Sequence, residues 1–105
     1  MKKIFIKKIE KIKNTTNSST LENIYISHYH YSETRKYALL NINFPFHILK
    51  ENKISYSDAI YIIQNINCPY SVLKIIYKER SSNKDNAFLL DKIKNHPNWR
   101  LSEFL

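Results

Sequence analysis

The stretch Asn41-Ile-Asn-Phe-Pro45-Phe-His-Ile-Leu-Lys50 returns 24 residues later as Asn65-Ile-Asn-Cys-Pro69-Tyr-Ser-Val-Leu-Lys74. Six of the ten positions are identical between the two copies. The remaining proline, Pro97, lies in the related phrase Asn95-His-Pro-Asn98. Self-similarity at a short, fixed spacing is typical of stacked helical repeats, so this phrase predicts how the chain folds.

The chemistry of the phrase predicts a helix stop followed by a helix start. Asparagine tolerates the left-handed conformation that ends many helices, and a second asparagine can cap the next helix. Proline in a first helical turn loses no hydrogen bond, because the amides of that turn have no partner within the helix. We therefore expect turns near residues 14–19, 41–45, 65–69 and 95–98.

The segments between these turns have helical patterns. Phe5, Ile9 and Ile12 fall at i, i+4 and i+7, which predicts an amphipathic helix over residues 2–13 that caps the domain with lysines on its other face. A second, short helix is expected from Leu21 to about Ile26. Further helix starts are predicted at Ser32, at Ser55 with Asp58 in capping-box spacing, and at Asp85 or Asn86. The apolar residues of the last two of these helices are Ala59, Ile60, Ile62, Ile63 and Ile66, and Phe88, Leu89, Leu90 and Ile93.

A weaker match extends the pattern to both ends of the chain. Ile12-Lys-Asn-Thr-Thr-Asn17 and Ile93-Lys-Asn-His-Pro-Asn98 agree at four of six positions. Four antiparallel helix pairs are therefore expected in one domain, residues 1–105, with no sheet. When the copies are aligned on their prolines, the variable positions are Phe44, Cys68 and His96 before the proline, and His47, Ser71 and Trp99 two residues after it.

The chain resembles bacterial leucine-rich variant repeats over about residues 35–105. An asparagine turn before Pro-x-x-x-Leu carries the resemblance, most clearly in residues 59–73 and 89–104. The resemblance implies a small, right-handed α-solenoid, similar to HEAT repeats, in which the second helix of a pair can be short or 3-10. It implies a binding surface and no particular activity.

Composition excludes several classes of protein. The sequence has no glycine, which excludes glycine-rich phosphate loops, dinucleotide fingerprints and nucleophile elbows. Its one cysteine, Cys68, permits no internal disulfide and indicates a reducing compartment. No apolar run approaches the roughly 20 residues that span a bilayer, so we expect a cytoplasmic protein with no membrane span. Binding of the first helix to a membrane surface, through its Phe-Ile face and lysines, is the least favoured alternative.

Positive charge is concentrated at the start of the chain. The net charge is +8, and the first 13 residues contribute +5 from six lysines and one glutamate. Lysines neutralise phosphates, and the tyrosines and Trp99 can stack on bases. Nucleic-acid binding is therefore the alternative function, with Lys3, Lys7, Lys8 and Lys11 as candidate contacts.

Metal binding and catalysis receive little support from the sequence. His28, His30 and Glu33 are residues of metal-binding type, but a predicted break at Ser32 separates them, so no metal site is assigned. No histidine is adjacent in sequence to a credible nucleophile, and the carboxylates are scattered. We expect a protein that is not an enzyme and needs no cofactor or small-molecule substrate.

Binding of a protein partner is the preferred function. In a helical repeat the variable positions are free to contact a partner. The candidates are Phe44, His47, Ser71, His96, Trp99 and Phe104. The chain ends on an apolar segment, so self-association through the last repeat, about residues 88–105, is a second form of this prediction.

Overall fold

The computed structural model describes residues 3–27, 32–50 and 54–102, and every secondary-structure element in these ranges is a helix. The α-helices are α1 (Lys3–Asn14), α2 (Ser18–Ser27), α3 (Ser32–Leu40), α4 (Tyr56–Gln64), α5 (Tyr70–Arg80), α6 (Ala87–Lys94) and α7 (Pro97–Ser102). Two 3-10 helices span Phe46–Lys50 and Lys84–Asn86. The all-α prediction is confirmed for the described residues. By internal contacts the chain divides into two compact units, Met1–Pro45 and Phe46–Leu105, and the single-domain organisation stays a prediction.

In the first unit, α1 and α2 both pack against α3. Ile12 of α1 and Leu21 of α2 are buried, and Leu39 of α3 is fully buried with them in the core. The rings of Tyr25 and Phe44 meet edge to face, with centroids 5.6 Å apart. Burying such aliphatic and aromatic side chains is the main stabilising term for helices this short.

In the second unit, α5 contacts the 3-10 helix Phe46–Lys50, α6 and α7, while α4 packs on α6. The fully buried side chains of this core include Leu49, Ile62, Leu73, Ile76, Leu89 and Ile93. The Arg80 guanidinium at the end of α5 donates to the Ile54 carbonyl at 2.8 Å. This bond holds the segment before α4 against the end of α5.

Two predicted helix starts have different outcomes. Ser55 is the N-cap of α4, and its Oγ accepts the Asp58 N–H at 3.2 Å, as the capping-box spacing predicts. Asn86 is the N-cap of α6, but its side chain makes no capping bond and donates to the Arg80 carbonyl at 3.1 Å instead. The side-chain cap belongs to Asn83, which accepts the Asp85 N–H at the start of the second 3-10 helix.

The prediction that asparagine ends these helices in the left-handed conformation is wrong for the described residues, none of which has a positive φ. Asn65 ends α4 with φ −80° and ψ 118°, and Asn95 ends α6 with φ −90° and ψ −2°. The second asparagine does not cap α5 either, since Pro69 is its N-cap. Other hydrogen bonds must therefore explain the repeated asparagines.

Candidate functional site

Four of the turns between helices, which begin at Thr15, Asn41, Asn65 and His96, contain the same local hydrogen bond. For each of them, the preceding turn means the one before it in this set. The side chain at the first position accepts the backbone N–H two residues later, from an asparagine in every case. The acceptors are Thr15 Oγ1 at 3.2 Å, Asn41 Oδ1 at 2.8 Å, Asn65 Oδ1 at 3.0 Å and His96 Nδ1 at 3.0 Å. This is the turn that asparagine and threonine side chains form by mimicking a backbone carbonyl.

The shared bond corrects the alignment of the last turn. His96 occupies the position of Asn41 and Asn65, so Pro97 corresponds to Ile42 and Ile66 rather than to the earlier prolines. Trp99 then corresponds to Phe44 and Cys68, since each donates its N–H to the carbonyl of the first residue of its turn. Alignment on the prolines is wrong for this turn, and the match between residues 12–17 and 93–98 gives the correct one.

In the first unit, the Asn41 amide also reaches the preceding turn. Its Nδ2 lies 2.7 Å from the Ile12 carbonyl, 3.3 Å from that of Lys13 and 3.0 Å from that of Thr15. These carbonyls belong to the last turn of α1 and the residue after it, where no helical N–H follows to bond them. Asn41 is 5% exposed, so its amide supplies a buried cap for α1.

In the second unit, His96 makes the equivalent connection. Its Nε2 lies 2.8 Å from the Asn65 carbonyl in the preceding turn. A backbone N–H can only donate, so Nδ1 accepts from Asn98, and Nε2 carries the proton and donates. The Asn98 amide adds bonds to the carbonyls of Ile66 at 3.1 Å and Cys68 at 2.7 Å.

These contacts change the set of partner-binding candidates. Phe44 is 4% exposed and belongs to the core, and His96 is 5% exposed and holds its turn. Neither side chain is available at the surface to contact a partner. Cys68 is fully buried, and burial raises the pKa of its thiol to about 12. The thiol therefore stays protonated at neutral pH and packs as a small apolar side chain.

The other partner-binding candidates have different surroundings. Trp99 is half-buried, and its ring centroid lies 5.3 Å from that of Tyr70 and 5.0 Å from that of Tyr77. This packing anchors α7 on α5. His47 and Ser71 are exposed, and Phe104 lies outside the described residues.

An apolar groove lies between α4 and α6 in the second unit. Its volume is about 540 Å³. Ile60, Ile63, Ile66, Phe88, Leu89 and Pro97 form its apolar lining, and Gln64, Lys92 and Asn95 are among its polar residues. Ile66 and Phe88 are each 65% exposed. Two large apolar side chains that stay this exposed in one groove are typical of a binding surface.

The sequence grouped Ile66 and Phe88 with the apolar residues of their helices, but the structure leaves both side chains exposed. Leu89 and Ile93, spaced i and i+4, form the buried face of α6, and Phe88 stands one position away from it. Ile66 follows the end of α4 and lies in the turn. A helical wheel centred on Leu89 and Ile93 separates Phe88 from the core, but no pattern in the sequence identifies Ile66 as exposed.

The lysines of α1 form a second candidate surface. Lys7, Lys8 and Lys11 are exposed, which fits their assignment as phosphate contacts. Lys13 is also exposed, but its Nζ lies 4.4 Å from the centroid of the Tyr37 ring. Lys3 is the first residue of α1, and its side chain lies outside the described part of the structure.

The described residues contain neither a metal-binding group nor a membrane-crossing helix. No group of three or more histidine, cysteine, aspartate or glutamate residues in the described ranges is placed to hold a metal ion. His28 and His30 lie outside those ranges. None of the described helices is both long and apolar enough to cross a bilayer.

Comparisons with known protein families, with characterised proteins and with solved structures find no significant match.

Proposed function

We propose that the chain is a non-enzymatic binding module, built as a helical repeat, that engages a protein partner. One observation carries this function: Ile66 and Phe88, each 65% exposed, line the same groove. Apolar area left in water has an unfavourable hydration free energy that a partner removes by covering it.

A helical-repeat architecture of the α-solenoid type is part of the proposal. It is supported by the shared turn, in which a side chain accepts the N–H of an asparagine two residues later at four of the breaks between helices. In repeat proteins such recurring contacts stabilise the frame, and positions that vary between copies face the partner. The residue after the first turn position fits that role, because Thr16, Ile42, Ile66 and Pro97 are all exposed.

The test uses site-specific photocrosslinking from the groove. A benzophenone side chain replaces Phe88 in one variant and Leu101, which is 62% exposed on α7, in a matched variant. We expect a defined protein to crosslink to position 88 in host cells and not to position 101. That protein, made pure, should bind the unmodified chain with a fixed stoichiometry and lose binding on Phe88→Asp.

Two outcomes would count against this function. Equal crosslinking from positions 88 and 101 would indicate nonspecific contact of exposed apolar side chains. Unchanged binding of the purified partner to the Phe88→Asp variant would place the interface elsewhere. The Leu101→Asp variant controls for the added negative charge, and circular dichroism checks that each variant keeps its helices.

Nucleic-acid binding is a second candidate, favoured by the exposure of Lys7, Lys8 and Lys11 on one short helix. Three phosphate contacts to a single strand predict a slope of about −2 when the logarithm of affinity is plotted against that of salt concentration. Fluorescence anisotropy with labelled single-stranded DNA and RNA measures this slope. Replacing the three lysines with glutamine should abolish binding.

A matched triple variant in the second unit controls for net charge alone. It carries glutamine at the exposed positions Lys74, Lys78 and Lys84. If both triple variants weaken binding equally, the attraction is to overall charge, and α1 is not a nucleic-acid site.

A further inference from the structure

We propose that the α4–α6 groove binds an acidic amphipathic helix from a partner protein. Apolar side chains of that helix would pack on Ile66 and Phe88, and one of its carboxylates would pair with Lys92. This inference rests on the proposed protein-binding function and names the chemistry of the partner.

The lining of the groove follows helical spacing on both walls. Phe88 and Lys92 of α6 and its C-cap Asn95 fall at i, i+4 and i+7, and Ile60, Ile63 and Gln64 fall at i, i+3 and i+4 along α4. The groove therefore follows α6 for about two turns, roughly 11 Å at the rise of an α-helix. An amphipathic helix presents anchors at the same i, i+3, i+4 and i+7 spacing, which is the usual way a helix fills such a groove.

The polar side of the groove favours a carboxylate. The Gln64 and Asn95 amides donate to carbonyls of their own helices, Ile60 at 3.0 Å and Asp91 at 2.9 Å. The charged side chain in the lining is Lys92, whose ammonium lies 5.4 Å from the centroid of the Phe88 ring. A carboxylate that pairs with Lys92 is thus held next to the main apolar anchor. Asp91 is exposed on α6 but is not part of the lining.

Net charge selects against a second copy of this chain as the occupant. The chain carries +8, so two copies repel each other when their surfaces approach. The amphipathic helix that this chain itself offers, α1, carries exposed lysines at positions 7, 8 and 11 on its polar face. Complementary charge therefore points to an acidic partner.

The experiment selects ligands from a displayed library of random peptides of about 15 residues, long enough for four helical turns. The full chain is the bait, and enriched peptides are measured by fluorescence anisotropy. We expect acidic sequences with leucine-like residues at i, i+3 or i+4, and i+7. Phe88→Ser should weaken binding at least about tenfold, whereas Leu101→Ser should change it less than about twofold.

Charge reversal tests the pairing with Lys92. Lys92→Glu should weaken binding of the acidic peptide about tenfold. It should strengthen binding of a matched peptide in which lysine replaces each glutamate. Enrichment of basic or uncharged peptides, no enrichment, or equal binding to the Phe88→Ser variant would overturn the proposal. So would sedimentation that detects a dimer of this chain that Phe88→Ser abolishes, because the occupant would then be a second copy.

The outcomes separate this inference from the broader function. A partner that crosslinks at position 88 through a segment that is not an acidic helix would overturn the inference and leave the protein-binding function standing. Failure of both crosslinking and peptide selection would overturn both.

Discussion

The turn at Asn41 and the turn at His96 lie in different units and use different side chains, yet each forms the same two connections. Asn41 Oδ1 and His96 Nδ1 both accept the N–H two residues later. Asn41 Nδ2 and His96 Nε2 both bond the carbonyl of the first residue in the preceding turn, Thr15 at 3.0 Å and Asn65 at 2.8 Å. The first residue of such a turn therefore needs a side chain with two groups: a hydrogen-bond acceptor that reaches the local backbone, and a donor that reaches the preceding turn.

The difference between the two turns lies in how many protons each side chain can donate. An amide has two N–H groups, and Asn41 also reaches the carbonyls of Ile12 and Lys13. A neutral imidazole has one, and His96 reaches one carbonyl. In the His96 turn, Asn98 supplies the missing donors at 3.1 and 2.7 Å, whereas the corresponding Asn43 makes one contact of 3.4 Å. In the first unit, the bonds to the preceding turn are thus made mainly by the first residue of the turn, Asn41. In the second unit, they are shared between the first residue, His96, and the third, Asn98.

The largest loss of stability is expected for Asn41→Ala, about 3 kcal/mol, because the Ile12 and Lys13 carbonyls and the Asn43 N–H lose this partner together. The Thr15 carbonyl keeps only the 3.4 Å contact with Asn43. Urea denaturation followed by far-UV circular dichroism measures the loss. Asn14→Ala is the matched control, since its exposed amide bonds a carbonyl of its own helix, and it should cost about 0.5 kcal/mol or less. A loss below about 1 kcal/mol for Asn41→Ala would show that water replaces the amide.

Asn98→Ala is expected to cost about 2 kcal/mol, because it removes two donors to the preceding turn, one of them at 2.7 Å. The fluorescence of Trp99, the single tryptophan of the chain, follows unfolding of the second unit. Asn95→Ala removes an exposed amide three residues away and serves as the control. If Asn98→Ala and Asn95→Ala lower the free energy of unfolding equally, the bonds of Asn98 to the preceding turn stabilise the fold no more than the local bond of Asn95 at the end of α6 does.

The His96 position offers a test by rescue. His96→Ala should cost about 1.5 kcal/mol, and His96→Asn should recover most of it, because in the turn at Asn41 an amide supplies the same acceptor and the same donor. The comparison uses the same denaturation measurement. If His96→Asn is as unstable as His96→Ala, ring size and packing decide this position, and its equivalence to Asn41 fails.

Much of the helix pattern is predictable from the sequence, because it depends on local spacing. Ser55 with Asp58 marks the start of α4, and the repeated asparagines mark the breaks. The reach of Asn41 to Ile12, 29 residues away, is not predictable, since local patterns give no information on which turns meet in space. The groove is not predictable for the same reason, because Phe88 and Ile66 come to line one groove only when α4 packs on α6.

The smallest effect is expected for Asn43→Ala, about 0.5 kcal/mol, although asparagine stands at this position in all four turns. Its amide contributes one contact of 3.4 Å to the Thr15 carbonyl, which Asn41 bonds at 3.0 Å, and its backbone N–H still bonds Asn41 Oδ1 after the substitution. In the double variant Asn41→Ala with Asn43→Ala, the second substitution should cost more than it does alone, because the Thr15 carbonyl has then lost the stronger donor. Simple additivity in that denaturation cycle would mean that the two amides do not share the carbonyl. In that case the asparagine at position 43 contributes only within its own turn. Donation to the preceding turn by both the first and the third residue would then be a property of the second unit alone.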